Sequence, residues 1–489
     1  MPEETGTHRP EPLPHHEEGV VKTEHVVTID GRVVPYTATV GRLVLTDDGS
    51  KSASFFYTSY VKSDERDPSA RPVVFAFNGG PGSSSVWLHL GVLGPRRVEL
   101  DAEGKAPSPP GRLVDNEYSI LGVADVVFID PVGTGFSRAI PDKEFKKFAH
   151  FKRDIESVGE FINLWLSRNN RWASPKFLAG ESYGTTRAAG LAGHLHDRYG
   201  IYLNGLILIS AVLHFGTAAW DRSTWTFAVG HDLPYIVFLP TYAATAWHHG
   251  RVSDEHRSKP LREFVDEVEE FAITDYALAL LRGDTLDEDA ANRTVDRLAG
   301  YTGLDPDYIR KYRLRIEILR FCKRLLGDQG LTVGRLDSRY TGHGRFDDGD
   351  SMETDPSGDD ITGVYAAMAN DHLRRGLGYR SDLPYEVLSM EVFKSWDYED
   401  FKDAHVDTSE TLRRILTTNR HLRVYVANGL FDLATPHFAT EYTVAHMGLK
   451  PEARERIEMS YFDAGHMMYV HEPSLMRLAA DMRTFVAGD

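Results

Sequence analysis

A single cysteine, Cys322, occurs among 489 residues, so neither an internal disulfide nor a zinc site built on several thiolates can form. Cys322 sits between apolar neighbours in EILRFCKRLL, the setting of a buried structural thiol rather than of a nucleophile. No run approaches 18 consecutive apolar residues, which excludes a bilayer-spanning helix. The opening stretch MPEETGTHRPEPLPHHEEGVVK has neither a basic leader nor an apolar segment, so a cytoplasmic setting is expected rather than a secreted one. Basic charge is also short: 55 Lys and Arg stand against 72 Asp and Glu, a formal net charge of −17. Such a surface repels phosphate backbones and anionic lipid, so neither nucleic acid nor membrane is an expected partner. There is no H-E-x-x-H pattern, and the doublets His15-His16 and His248-His249 lack a ligand set, so no metal or cofactor is expected. Nothing in the chain signals an oligomeric state.

What remains is ample apolar material, 42% of residues, for a large core. Residues 1–22, rich in Pro, Glu and His, are expected to be a mobile tail. Three β-like runs follow, HVVTID, YTATVGRLVL and SASFFYTSYV, separated by Gly and Asp turn signals. Short apolar runs then alternate with helical patterns: VVFAF (73–77), DVVFID (125–130), KFLAG (176–180), LILIS (206–210), RVYVAN (423–428) and IEMSYF (457–462). Near-continuous apolar strands of this kind predict a mainly parallel sheet covered on both faces. Covering helices are expected at 152–168 and 472–487. Between the fourth and fifth of these strands the periodicity turns helical, at 261–272, 287–299, 305–325 and 360–375, with an acidic loop at 342–360. The expected organisation is a catalytic core of 23–214 and 396–489 interrupted by a mainly helical lid, 215–395.

The strand KFLAG runs into Gly180-Glu181-Ser182-Tyr183-Gly184, and a helical segment follows. This is G-x-S-x-G in the strand–turn–helix context that raises a serine hydroxyl above a sheet. A serine hydroxyl needs a base, and the base needs an orienting acid. In the α/β-hydrolase plan the acid follows a later strand and the histidine the last one. Asp432 follows RVYVAN in GLFD, and His466 follows IEMSYF in DAGHM, so the order is Ser182, Asp432, His466. Asp463 is a second candidate acid. The strand VVFAF leads into Asn78-Gly79-Gly80-Pro81-Gly82-Ser83, where that plan puts one oxyanion amide, the other being that of Tyr183. A phosphate-binding loop is excluded here, because Pro81 lacks an N–H and no Gly-Lys-Ser/Thr follows.

Taken together, FNGGPGSSS (77–85), NEYS (116–119), DPVGTGFS (130–137), GESYG (180–184), NGLFD (428–432) and AGHM (464–467) resemble the motifs of the serine carboxypeptidase family of α/β hydrolases. The resemblance implies release of the last residue from peptides with a free C-terminus, through an acyl-enzyme on Ser182. It implies an oxyanion hole from the amides of Gly80 and Tyr183, and carboxylate binding by Asn78, the Gly79 amide and Glu181. Met467 would wall the pocket of the leaving residue. The alternative is an esterase, amidase or acyltransferase with the same triad. Four positions depart from the family pattern: Ser83 replaces a cysteine, Val92 a glutamate, one residue is deleted between Asp130 and Pro131, and the proline expected after AGHM is missing from MMYVHEP. A glutamate helps bind a carboxylate only when protonated. Without a carboxyl at position 92, Glu181 is expected to lose its proton-sharing partner. KM for free-carboxylate peptides is then expected to rise from about pH 5 to 8.

Overall fold

The computed structural model describes residues 16–488 apart from 219, 222–225, 228–229, 346–348, 350 and 403. Nine strands define the central sheet: β1 (Gly19–Ile29), β2 (Arg32–Asp47), β3 (Ser50–Lys62), β4 (Val73–Phe77), β5 (Asp125–Ile129), β6 (Lys176–Glu181), β7 (Gly205–Ile209), β8 (Arg423–Gly429) and β9 (Ile457–Phe462). Their spatial order is β1-β2-β3-β5-β4-β6-β7-β8-β9, and a two-residue strand at Arg138–Ala139 pairs with β3. The first three strands and the β3–β5 pairing are antiparallel. From β5 to β9 every pairing is parallel. The expected tail is shorter than 1–22, because Gly19–Lys22 pair with Thr39–Arg42 as the start of β1.

Apart from the edge strand β9, where Glu458 is exposed, the parallel strands are buried on both faces because both faces are covered. The helices that matter here are α1 (Phe151–Arg168), α2 (Tyr183–Tyr199), α3 (Leu233–His248), α4 (Leu261–Phe271) and α5 (Glu288–Thr302). They are followed by α6 (Pro356–Asp371), α7 (Ser409–Thr418), α8 (His437–Ala445) and α9 (Glu472–Ala487). Val73, Phe75 and Phe77 of β4 pack with Phe161 and Trp165 of α1, Leu191 of α2 and Leu412 of α7. Val74 and Ala76 of the same strand belong to the opposite cluster, with Leu478 and Met482 of α9. Each large side chain buried in this way contributes about 1.5–3 kcal/mol. This layering is the α/β-hydrolase fold.

Within 215–395 the helices α3, α4 and α5 share a separate core with Phe321 and Cys322, and Leu433 and Ala439 join it from beyond β8. Two expectations are corrected here. The helix anticipated across 305–325 is broken into Pro306–Lys311 and Ile318–Arg324, because Arg313 and Leu314 adopt φ of 52° and 69°, outside right-handed helix geometry. Not all of 215–395 stands apart from the core either. Ile361, Val364 and Tyr365 of α6 pack on the sheet with α9, so the amphipathic face of α6 covers the catalytic layer.

Candidate active site

Ser182 sits between β6 and α2 with φ 60° and ψ −130°, a costly conformation for a residue with a Cβ and the hallmark of a nucleophile elbow. Its N–H donates to the Ile209 carbonyl at 3.0 Å. Tyr183 is the first residue of α2, so its N–H has no partner within the helix and is free to serve an oxyanion. The Asn78–Gly80 loop lies directly against this amide: a Cβ on Gly79 would come within 2.5 Å of the Tyr183 nitrogen and 2.7 Å of the Glu181 carbonyl oxygen. Only glycine permits that approach.

Asp432 and His466, the candidate acid and base, lie on the loops after β8 and β9. His466 Nδ1 donates to Asp432 Oδ2 at 2.8 Å. Asp432 is fully buried and also accepts from the amides of Ala434 and Thr435 at 2.7 and 2.9 Å and the Thr435 hydroxyl at 2.7 Å. These four donors hold the carboxyl group in one orientation. Burial pulls the pKa of His466 down, but Asp432, joined by Glu181, outweighs it, and the net shift is upward. With Nδ1 engaged, Nε2 is the ring nitrogen available as a base. Among the described residues Ser182 and His466 are not joined by a hydrogen bond, a contact that tightens on substrate binding in many enzymes. They are held by consecutive residues: Ile209 takes the Ser182 amide, and the Ser210 hydroxyl donates to the His466 carbonyl at 2.6 Å. Asp463, the second candidate acid, is exposed, and its carbonyl accepts from Arg339 at 2.9 Å. It is not placed to orient His466.

Glu181 is 4% exposed, and both its oxygens accept hydrogen bonds. Asn78 Nδ2 donates to Oε1 at 3.0 Å, and the Tyr469 hydroxyl donates to Oε2 at 2.6 Å. Burial raises Glu181 to about 7, against the opposing pull of His466, Tyr469 and Asn78. Among the described residues no carboxyl is hydrogen-bonded to Glu181; the Tyr469 hydroxyl binds it instead. The sequence offered one signal, the missing proline after AGHM, since Tyr469 lies three residues after His466. Asn78 is fixed on every side. Its Oδ1 accepts from the Leu88 amide at 3.0 Å and its carbonyl from Arg187 at 2.6 Å. Arg187 in turn pairs with Asp154 at 2.8 Å, both nearly fully buried. Met467 is buried in the sheet core and lines a small void with Leu336, Tyr340 and Ile361.

Sequence reasoning also missed two straps. Residues 335–339 bind the loops that carry Asp432 and His466: Leu336 accepts from the His466 amide at 2.6 Å, Asp337 from the Gly465 amide at 3.0 Å, and Arg335 from the Leu433 amide at 3.0 Å. Residues 386–389 pair with the glycine-rich loops, the Ser84 amide donating to Val387 at 3.0 Å and the Gly135 amide to Glu386 at 2.8 Å. Glu269, His437 and Glu441 bring ligand atoms within 4.8 Å of one another. His437 is hydrogen-bonded to Glu269 at 2.9 Å, and Arg262 lies 3.0 Å from the same carboxylate, while among the described residues Glu441 Oε1 has no hydrogen-bond partner.

The fold and the serine elbow define an α/β hydrolase. Residues 43–476 match the model of the serine carboxypeptidase family, and the chain belongs to that family. Serine carboxypeptidase-like 2 of Arabidopsis thaliana is 36% identical over 132 residues, 26% of this chain and 28% of that protein. Serine carboxypeptidase-like 8 of the same plant is 30% identical over 175 residues, 35% of this chain and 37% of its own. The chain thus spans well under half the length of these curated relatives. Among solved structures, Kex1(Δ)p of Saccharomyces cerevisiae, a prohormone-processing carboxypeptidase, superposes over 93% of this chain and 92% of its own with a TM-score of 0.57. At 16% identity that likeness shows a common fold.

Proposed function

We propose that this protein is a serine carboxypeptidase that releases C-terminal residues from peptides with a free C-terminus. The observation that carries this reading is the Asn78–Glu181 pair set beside the Ser182 elbow. A buried amide and a carboxyl that is half protonated near pH 7 suit a peptide's terminal carboxylate, whereas a triad alone would serve any acyl substrate. Cys322, fully buried with its pKa held well above the ordinary thiol value, supports a protein that needs no oxidising compartment, and we propose a cytoplasmic one.

In this mechanism His466 Nε2 takes the Ser182 hydroxyl proton as the oxygen attacks the last peptide carbonyl. The amides of Gly80 and Tyr183 hold the oxyanion. As the C–N bond breaks, His466 returns the proton to the departing amine, and the peptide remains as an ester on Ser182. Water then attacks that ester, giving its proton to His466, and the serine hydroxyl is restored as the shortened peptide leaves. Asn78, the Gly79 amide and protonated Glu181 anchor the terminal carboxylate during acylation and release it with the departing residue. An esterase or amidase reading gains weight above pH 7, where ionised Glu181 repels a carboxylate. Ser182→Ala tests the proposal: covalent labelling by a serine-directed phosphonate should vanish, and turnover should fall by several orders of magnitude. Labelling that persists elsewhere, with near-normal turnover, would overturn it.

A further inference from the structure

We propose that Tyr469 is the positioning residue of the carboxylate-binding site, its hydroxyl fixing Glu181 and setting the pH above which the site ceases to accept a peptide C-terminus. The proposal rests on the reading of Asn78 and Glu181 as the carboxylate-binding pair, and it names the group that tunes that pair.

The geometry is specific. Tyr469 is 2% exposed, and its hydroxyl reaches Glu181 Oε2 at 2.6 Å, within the range of a well-formed O–H···O hydrogen bond. Its ring lies hard against the backbone of Gly91, where even a Cβ would overlap it. The side chain therefore has one place to go. Position 92, next in the chain, is a fully buried valine, so it brings no carboxyl to Glu181. The titratable groups that act on Glu181 are His466, Tyr469 and Asp432, and Glu181 in turn acts on Tyr365. Asp432 is already committed to His466.

A tyrosine and a carboxyl in this place have opposite effects. A neighbouring carboxyl shares a proton and, once ionised, repels the second negative charge, so it raises the pKa of its partner. Burial pushes the Tyr469 hydroxyl well above its ordinary value, so it stays neutral and remains a donor. Donation to the carboxylate favours the ionised form, and it opposes the rise that burial imposes on Glu181. Tyr469 thus lowers the pH at which Glu181 gives up its proton while holding Oε2 in one direction. Asn78 holds Oε1, so the carboxyl plane is fixed from both ends.

The test uses the full chain and two readouts. Tyr469→Phe keeps the ring and removes the donor. For blocked dipeptides with a free C-terminus, KM in the parent protein should climb with a midpoint near pH 7. In Tyr469→Phe that midpoint should move up by about one to two pH units, whereas amidated dipeptides should show no such climb in either protein. Independently of any substrate, the infrared carboxyl band that disappears in Glu181→Gln should titrate near pH 7 in the parent and higher in Tyr469→Phe. A 3-fluorotyrosine at position 469, a stronger donor, should move the same band the other way. An infrared midpoint unmoved in both variants, or a uniform rise of KM at every pH, would overturn the proposal. A midpoint that moves while free and amidated peptides are treated alike would instead overturn the carboxylate reading beneath it.

Discussion

Arg187 lies five residues beyond Ser182 on α2, with its guanidinium buried beneath the oxyanion loop. It donates to Asp154 Oδ2 at 2.8 Å and to the Asn78 carbonyl at 2.6 Å, and it lies over the rings of Tyr183 and Phe77. Burial raises the pKa of Asp154, and Arg187 is the main force opposing it. Arg187→Met leaves a buried carboxyl and a buried carbonyl without their partner. Breaking one side of such a pair costs about 3–5 kcal/mol. Unfolding entropy of about 2.1 cal/mol/K per residue over 489 residues gives ~1 kcal/mol per kelvin, so Tm should fall by about 3–5 °C. Arg187→Met/Asp154→Leu removes both charges and should recover most of that loss, since a buried pair is seldom more stable than well-packed apolar groups. Calorimetry at pH 7 measures both. The same single variant should raise KM for free-carboxylate peptides, because the Asn78 carbonyl loses its anchor. A single variant within about 1 °C of the parent, or a double variant less stable than the single, would refute the reasoning.

Three further outcomes follow from the same geometry. Glu181 ionises in the folded protein only near pH 7 against an ordinary value of 4.5, so its stabilising contribution is complete below about 4.5 and is lost as pH rises through about 7; Glu181→Gln should therefore stabilise the fold by about 3 kcal/mol at pH 8 and very little at pH 4, and equal effects at the two pH values would contradict the buried titration. Ser210→Ala removes the bond to the His466 carbonyl and should lower kcat by roughly 3- to 10-fold, measurable in steady-state kinetics; unchanged kcat would show that His466 is held without it. Asp432→Asn should lower kcat by up to about 10⁴-fold, while Asp463→Asn, at an exposed side chain, should stay within about 2-fold; the reverse ranking would move the acid.

The sheet was legible because its physics is local. VVFAF and IEMSYF coincide with β4 and β9 to the residue: β4, covered on both faces, is apolar throughout, and β9, at the sheet edge, buries Ile457, Ser460 and Phe462 while Glu458 stays exposed. Ser182, Asp432 and His466 could be proposed as a set from order along the chain, each standing just beyond the carboxyl end of a strand, and the structure joins the last two by a hydrogen bond. What sequence could not supply is contact between distant residues. Tyr469 and Glu181 are 288 positions apart, so position 92 could be seen to lack a carboxyl while the hydroxyl on Glu181 stayed hidden. Arg187 within TTRAAG reads as an ordinary helix position until Asp154, 33 residues earlier, is brought beneath it. The helix anticipated at 305–325 failed because periodicity does not register two consecutive left-handed residues, Arg313 and Leu314. The boundary of the insertion failed for a related reason: an amphipathic pattern shows that α6 buries a face, but not against which layer.

On the proposed reading, the site recognises a free C-terminus beside an acylating serine. The most direct measurement is kcat/KM for a set of blocked dipeptides offered as free acid and as amide, at pH 6 and at pH 8. At pH 6, with Glu181 mostly protonated, the free acid should be preferred by about 10-fold or more, the worth of charge-assisted hydrogen bonds to a carboxylate. The preference should narrow at pH 8. Equal rates for acid and amide at pH 6, or a preference for the amide, would contradict the account.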